Sequence, residues 1–150
     1  LPGAQAMPRG GLAEVKINLT QNASGMLSSS ICGYLVDTYG MRAFEVVELV
    51  KNKPALARPI IKGRNEIAAQ IVFAVQSEFA ATATDFLIQR TQIFYRDDDQ
   101  GLGALHEVVR LMADLLNWDE ARQKAEIKRY QNDVAASRGW RAEIAQEKSA

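Results

Sequence analysis

The sequence predicts an all-α protein, a compact bundle of about six helices preceded by an irregular N-terminal arm. Three observations carry that prediction. From residue 27 onward, apolar residues recur at spacings of three and four, the period of one helix face. Cap-type residues (Ser28, Asn65, Thr82 and Asp119) open those stretches, and Gly or Pro closes several of them. No stretch makes a secure strand, and no unit repeats at a fixed period.

Residues 1–26 read as a linker or arm: they hold two of the four prolines and several of the glycines, with few large apolar residues. Within them, residues 15–19 alternate apolar and polar, so a short strand competes with irregular chain. The first helix places Leu27, Ile31, Tyr34, Leu35 and Thr38 on one side, with Ser28 to cap it and Gly40 to end it at positive φ. The second carries Ala43, Val46, Val47 and Val50 and stops before Pro54, whose ring removes a backbone donor. Residues 51–64, KNKPALARPIIKGR, form a loop. A third helix capped by Asn65 carries Ile67, Ile71, Val75 and Phe79, although its β-branched residues leave a strand in competition. Thr82 and Asp85 have capping-box spacing, so a fourth helix starts there and runs to about Phe94. After the break at 96–103, a fifth places Leu105, Val108, Val109, Met112, Leu115 and Leu116 inward. Asp119 caps a sixth with Ala121, Ala125, Ile127, Tyr130 and Val134. Gly139 closes it, leaving a helical domain over 27–138 and a tail over 139–150.

Composition excludes several kinds of chemistry. The 150 residues carry 18 Lys+Arg and 18 Asp+Glu, a formal net charge of zero, whereas nucleic-acid domains usually show a basic excess. No apolar run approaches the roughly 18 residues of a transmembrane helix, so a soluble piece is expected. One His and one Cys exclude an internal disulfide and a self-contained His/Cys metal site. The chain starts at Leu1 without Met, which suggests a piece of a longer polypeptide.

The remaining candidates for chemistry are few. Asp97, Asp98 and Asp99 suggest calcium, but an EF-hand register from Asp97 puts Val108 at position 12, and one from Asp98 puts Val109 there, where Glu is needed. A solvated loop is the better reading. His106 has no second His one turn away, and Cys32 has no nearby base to activate it. Gly101 and Gly103 lack the preceding strand and third glycine of a dinucleotide fingerprint. No metal, catalytic or cofactor-binding residue is therefore assigned. Two groupings stand out. Lys51, Lys53, Arg58, Lys62 and Arg64 form a basic stretch that suits anionic lipid headgroups or an ordinary exposed loop. Glu66, Glu78, Asp85 and Arg90 fall on half-buried helices, where charges need partners; the last three suit an ion-pair network, with catalytic carboxylates as the alternative for which no cleft partner can be named.

Those same residues carry a family resemblance. Glu66, Glu78-x-Ala80 and Asp85-Phe86-Leu87-x-x-Arg90-Thr91 resemble the E, E-x-A and D-x-L-x-R-R-T pattern of the C-terminal helical domain of FAD-dependent glycerol-3-phosphate dehydrogenases. Leu35-Val36-x-x-Tyr39-Gly40-x-x-Ala43 resembles that family's L-V-x-x-Y-G-x-x-A, and Met112 with Leu116 and Trp118 its M-x-x-x-L-x-W. Leu1-Pro2-Gly3 resembles its L-P-G-G linker. Gln89 departs from the first Arg of the pair, and Ala4 from the second Gly.

The resemblance implies a parent enzyme that oxidises glycerol 3-phosphate to dihydroxyacetone phosphate through FAD and passes electrons to a membrane quinone. It implies that the flavin and substrate residues lie upstream, so the fragment itself is inactive and holds no cofactor. Tyr39, Gly40, Glu66, Glu78, Asp85, Arg90, Thr91 and Trp118 then have structural roles. The implied partner is the flavin body of the same polypeptide, on the mitochondrial inner or bacterial cytoplasmic membrane, with homo-oligomers open. An oxygen-using glycerophosphate oxidase and a free-standing helical interaction module are the alternatives.

Overall fold

In this computed structural model residues 7–147 are described, with side chains described as far as Gly139; the linker motif at 1–4 lies outside them. The described residues form seven α-helices, short 3₁₀ and π segments and no strand, apart from an isolated antiparallel bridge between Pro59 and Ile67. They fall into two compact units, one ending at Ser77 and the other starting at Glu78.

The first unit begins with a helix the sequence reading missed. Residues Gly11–Asn22 form α1, where an irregular arm or a strand over 15–19 was expected. Val15, Leu19 and Ala23 are buried at four-residue spacing, whereas Ile17, which completed the apparent alternation, is exposed. Asn18, Thr20 and Gly11 are weak helix formers, so tertiary burial rather than propensity makes this helix. It contacts α2 (Ser29–Tyr39) and adds an exposed ion pair, Lys16 Nζ to Asp37 Oδ1 at 2.7 Å.

The side chain of Ser28 caps α2 by accepting from the Ile31 N–H, and Gly40 follows at φ +57°. A 3₁₀ turn leads into α3 (Ala43–Asn52), whose Ala43, Val46, Val47 and Val50 are all buried as the periodicity predicts. Pro54 opens a second 3₁₀ turn and ends α3. Helix α4 (Ala68–Glu78) starts later than expected. Asn65 does not cap it but accepts from Ser30 Oγ; Gln70 Oε1 takes the Ile67 N–H instead.

In the second unit, the expected fourth helix divides. A short turn at 83–84 continues as a π-helix, Asp85–Arg90, and after a break at Thr91 comes the single turn α5 (Ile93–Arg96). Helix α6 (Leu105–Leu116) buries Leu105, Val108, Val109 and Met112, and ends at Asn117 with φ +55°. Asp119 then caps α7 (Glu120–Glu147) through the Arg122 N–H at 2.7 Å. Gly139 does not stop this helix, which continues through it into the expected tail. The expected inward residues Ala121 and Ala125 are exposed; the buried stripe is Glu126, Tyr130 and Val134.

Candidate functional site

The residues that form the longest sequence motif build a polar frame around the segment 78–91. Its first half is a capping box. Asp85 Oδ2 accepts from the Ala81 and Thr82 N–H groups, both at 3.0 Å, while Thr82 Oγ1 accepts from the Asp85 N–H at 3.1 Å. Asp85 therefore serves backbone donors and does not join the expected network with Arg90. Arg90 turns back to the end of α4, donating from Nη2 to the Glu78 carbonyl at 3.0 Å. Its Nε stands 3.9 Å from Glu78 Oε2, a looser charge contact. A cation at a helix C-terminus satisfies an orphan carbonyl and suits the helix dipole.

Thr91 closes the π-helix. Its N–H and its hydroxyl both donate to the Phe86 carbonyl at 2.9 Å, the five-residue step of a π turn. Phe86 and Leu87 are buried between these polar anchors. Helix α7 supplies two more. Glu126 Oε2 accepts from the buried Ala83 N–H at 3.1 Å, and Asp133 Oδ2 accepts from Thr84 Oγ1 at 2.8 Å. Neither carboxylate was singled out in the sequence. The available signal was that Glu126 lies four residues before Tyr130 and eight before Val134, on the helix's one apolar stripe.

Phe79 reverses an expectation. The three- and four-residue spacing places it on the buried face of α4, yet the helix ends at Glu78 and Phe79 adopts φ +57° with 85% of its surface exposed.

In the first unit, Tyr39 and Glu66 belong to a second polar cluster. Gln70 is fully buried; its Nε2 donates to Tyr39 Oη at 3.0 Å while its Oε1 holds the Ile67 N–H. The Tyr39 ring meets Phe73 edge-on at 5.0 Å, and the Arg42 guanidinium lies 4.6 Å from the Phe73 ring centre. Buried Glu66 receives both Arg64 Nε at 3.1 Å and Arg64 Nη2 at 3.2 Å. Burial, with the Glu66 charge second, pushes the Tyr34 hydroxyl above its ordinary range.

The basic stretch is less uniform than its sequence. Arg64 is engaged with Glu66, and Lys51 Nζ is 2.6 Å from Glu48. Lys53, Arg58 and Lys62 are exposed on the loop. Trp118, the last motif residue, follows the α6 C-cap; its N–H reaches the Ala113 carbonyl, and Arg122 lies 5.2 Å over its ring.

The glycine loop is occupied by its own side chains. Asp97 and Asp99 accept from the Gly101 N–H, Asp99 also from Gly103, and Tyr130 donates to the Gln100 carbonyl at 2.6 Å. Hydrogen bonding to Asp97 holds the Asp99 carboxyl below its usual range, against burial and aided by the loop N–H groups. An anionic loop of this kind repels a phosphate, so the Gly101–Gly103 pair does not serve as a phosphate cradle. Burial raises the Cys32 thiol, which suits a packed side chain and not a nucleophile. Among the described residues no His, Cys, Asp and Glu group could hold a metal, and no helix is long and apolar enough to cross a membrane.

Comparison with known proteins gives a consistent picture. The family model of the C-terminal domain of alpha-glycerophosphate oxidase matches residues 1–123. A probable mitochondrial glycerol-3-phosphate dehydrogenase of Dictyostelium discoideum is 33% identical over 106 residues, 71% of this chain and 16% of its own length. A glycerol-3-phosphate dehydrogenase of Synechocystis is 32% identical over 130 residues, 87% of this chain and 23% of its own. The mitochondrial enzyme of Bos taurus is 30% identical over 105 residues, 67% and 14%. The chain thus spans less than a quarter of each of these relatives.

Proposed function

This chain belongs to the family of C-terminal domains of alpha-glycerophosphate oxidase, and we propose that it is the non-catalytic helical domain of a FAD-dependent glycerol-3-phosphate dehydrogenase. One observation supports the non-catalytic role above all. The motif side chains are spent on the chain's own backbone: Asp85 on two N–H groups, Arg90 on a carbonyl, Thr91 on the π turn. Groups committed in this way position helices; none is poised toward a substrate.

The parent reaction is the conversion of glycerol 3-phosphate and quinone to dihydroxyacetone phosphate and quinol, with FAD held in an upstream body of the same polypeptide. The relatives' names, dehydrogenase and not oxidase, support an acceptor other than oxygen. The family model's own description favours a second reading, in which oxygen accepts the electrons and peroxide is released. Peroxide yield from the full-length enzyme distinguishes the two. The mitochondrial names of two relatives support a mitochondrial location; the place on the inner membrane, with the bacterial cytoplasmic membrane as the counterpart, is part of the proposal.

The direct test is to purify the 150-residue chain beside its full-length parent. The parent should be yellow and should oxidise glycerol 3-phosphate with a dye acceptor. The chain should show neither property. Flavin absorbance or turnover in the chain alone would overturn the proposal.

A further inference from the structure

We propose that Phe79 is the anchor by which this domain docks on the rest of its parent polypeptide, its ring seated in an apolar pocket of the flavin-containing body. The inference rests on the reading of the chain as one domain of a larger flavoenzyme. Several observations meet at this residue. At φ +57° Phe79 occupies a backbone region that a bulky L side chain rarely adopts. The residue is 85% exposed, so the described residues bury little of it in return. Nor is the backbone slack on either side: Arg90 holds the Glu78 carbonyl, and Asp85 holds the Ala81 and Thr82 N–H groups.

A glycine would take this conformation without strain, and a polar side chain would be better solvated. Neither backbone nor burial among the described residues favours phenylalanine here, which points to a favourable contact outside them. Leu12, Ile17 and Tyr95 are exposed too, but none has positive φ, and scattered exposed apolar residues need no partner. The space outside is large: the chain spans 16% and 23% of two relatives, so most of such a protein is a covalently joined neighbour. An aromatic ring presented from a braced backbone loses little freedom on docking, which is why such residues serve as interface anchors.

Hydroxyl-radical footprinting of the unmodified proteins tests this. Phe79 oxidation is compared between the 150-residue chain and the full-length parent, each at a low and a high concentration. The expected result is oxidation slower by roughly fivefold or more in the parent at both concentrations, since anchor residues are fully desolvated. Equal rates would overturn the proposal. Protection that grows with concentration in the chain alone would also overturn it, assigning the ring to self-association. As a second measurement, Phe79→Gly should leave the chain's thermal midpoint unchanged or raised while lowering the parent's. A lowered midpoint in the chain contradicts the proposal. A full-length protein without flavin absorbance would instead refute the parent reading itself.

Discussion

Removing the Glu126 carboxylate tests how α7 holds the motif segment. Glu126 is 3% exposed and Ala83 is fully buried, with the Ala83 N–H donating to Glu126 Oε2 at 3.1 Å. That donor sits in the first turn of its segment, where no helical carbonyl can serve it. Glu126→Ala strands it, at a cost of about 1–3 kcal/mol. The ion pair with Arg122, 2.7 Å away, adds less than about 1 kcal/mol, because Arg122 is 47% exposed and solvent screens it. The sum is about 1–4 kcal/mol, or roughly 2–16 °C in thermal midpoint for a chain of this length. Glu126→Gln keeps an acceptor of the same size and should cost about 1 kcal/mol or less. Urea unfolding followed by far-UV circular dichroism, with Arg122→Ala alongside, measures all three. An alanine variant within about 0.5 kcal/mol of wild type would refute the reasoning. So would an Arg122→Ala variant of equal cost, since it would locate the energy in the ion pair.

Four further predictions concern other parts of the chain. Gly101→Ala should cost about 2–4 kcal/mol, because φ is +81° and an added Cβ would lie 2.8 Å from Ile93 Cγ2. Gly33→Ala, with open space inside α2, should stabilise by about 0.5–1 kcal/mol; in thermal melts a raised midpoint for the first or a lowered one for the second would contradict that prediction. Burial first, then the charges of Asp99, Asp133 and Asp97, raise the Tyr130 hydroxyl above the tyrosine range. Its stabilising contribution is therefore fully present below about pH 10 and lost as pH climbs beyond it. Tyr130→Phe cannot titrate, so its deficit against wild type should narrow across that window; a constant gap in denaturant titrations refutes this. For the basic loop, Lys53→Glu, Arg58→Glu and Lys62→Glu together should abolish salt-sensitive co-sedimentation with anionic liposomes, whereas unchanged partitioning would mark the loop as ordinary surface.

The helical class was readable because it depends on short-range periodicity. Ala43, Val46, Val47 and Val50 lie where their spacing puts them, as do Leu105, Val108, Val109 and Met112. Local caps were readable for the same reason: Ser28, Asp119 and the Thr82–Asp85 box each act within three residues. Features that depend on distant partners were not. Helix α1 has a poor helical composition and forms around Val15, Leu19 and Ala23, so its own residues advertise a strand or a loop. Glu126 looks like one of many surface charges on α7 until its donor, 43 positions earlier, is known. Gly139 looks like a stop, but α7 runs through it to Glu147.

The spacing of the longest motif now has a physical reason. Helix α4 must end so that Arg90, twelve residues on, can reach back to the Glu78 carbonyl. The intervening chain first reverses through the Thr82–Asp85 box and then winds as a π-helix, whose wider turn adds one residue relative to an α-turn. Thr91 fixes that extra residue by donating twice to Phe86. Without it the segment would relax to α geometry, and Arg90 would rotate by about 100° away from the carbonyl it caps. Valine in place of Thr91 would keep the volume but lose the hydroxyl donor, and Gln in place of Arg90 would lose the reach. The motif therefore encodes one rigid reversal of the chain, with Phe79 at its outer turn.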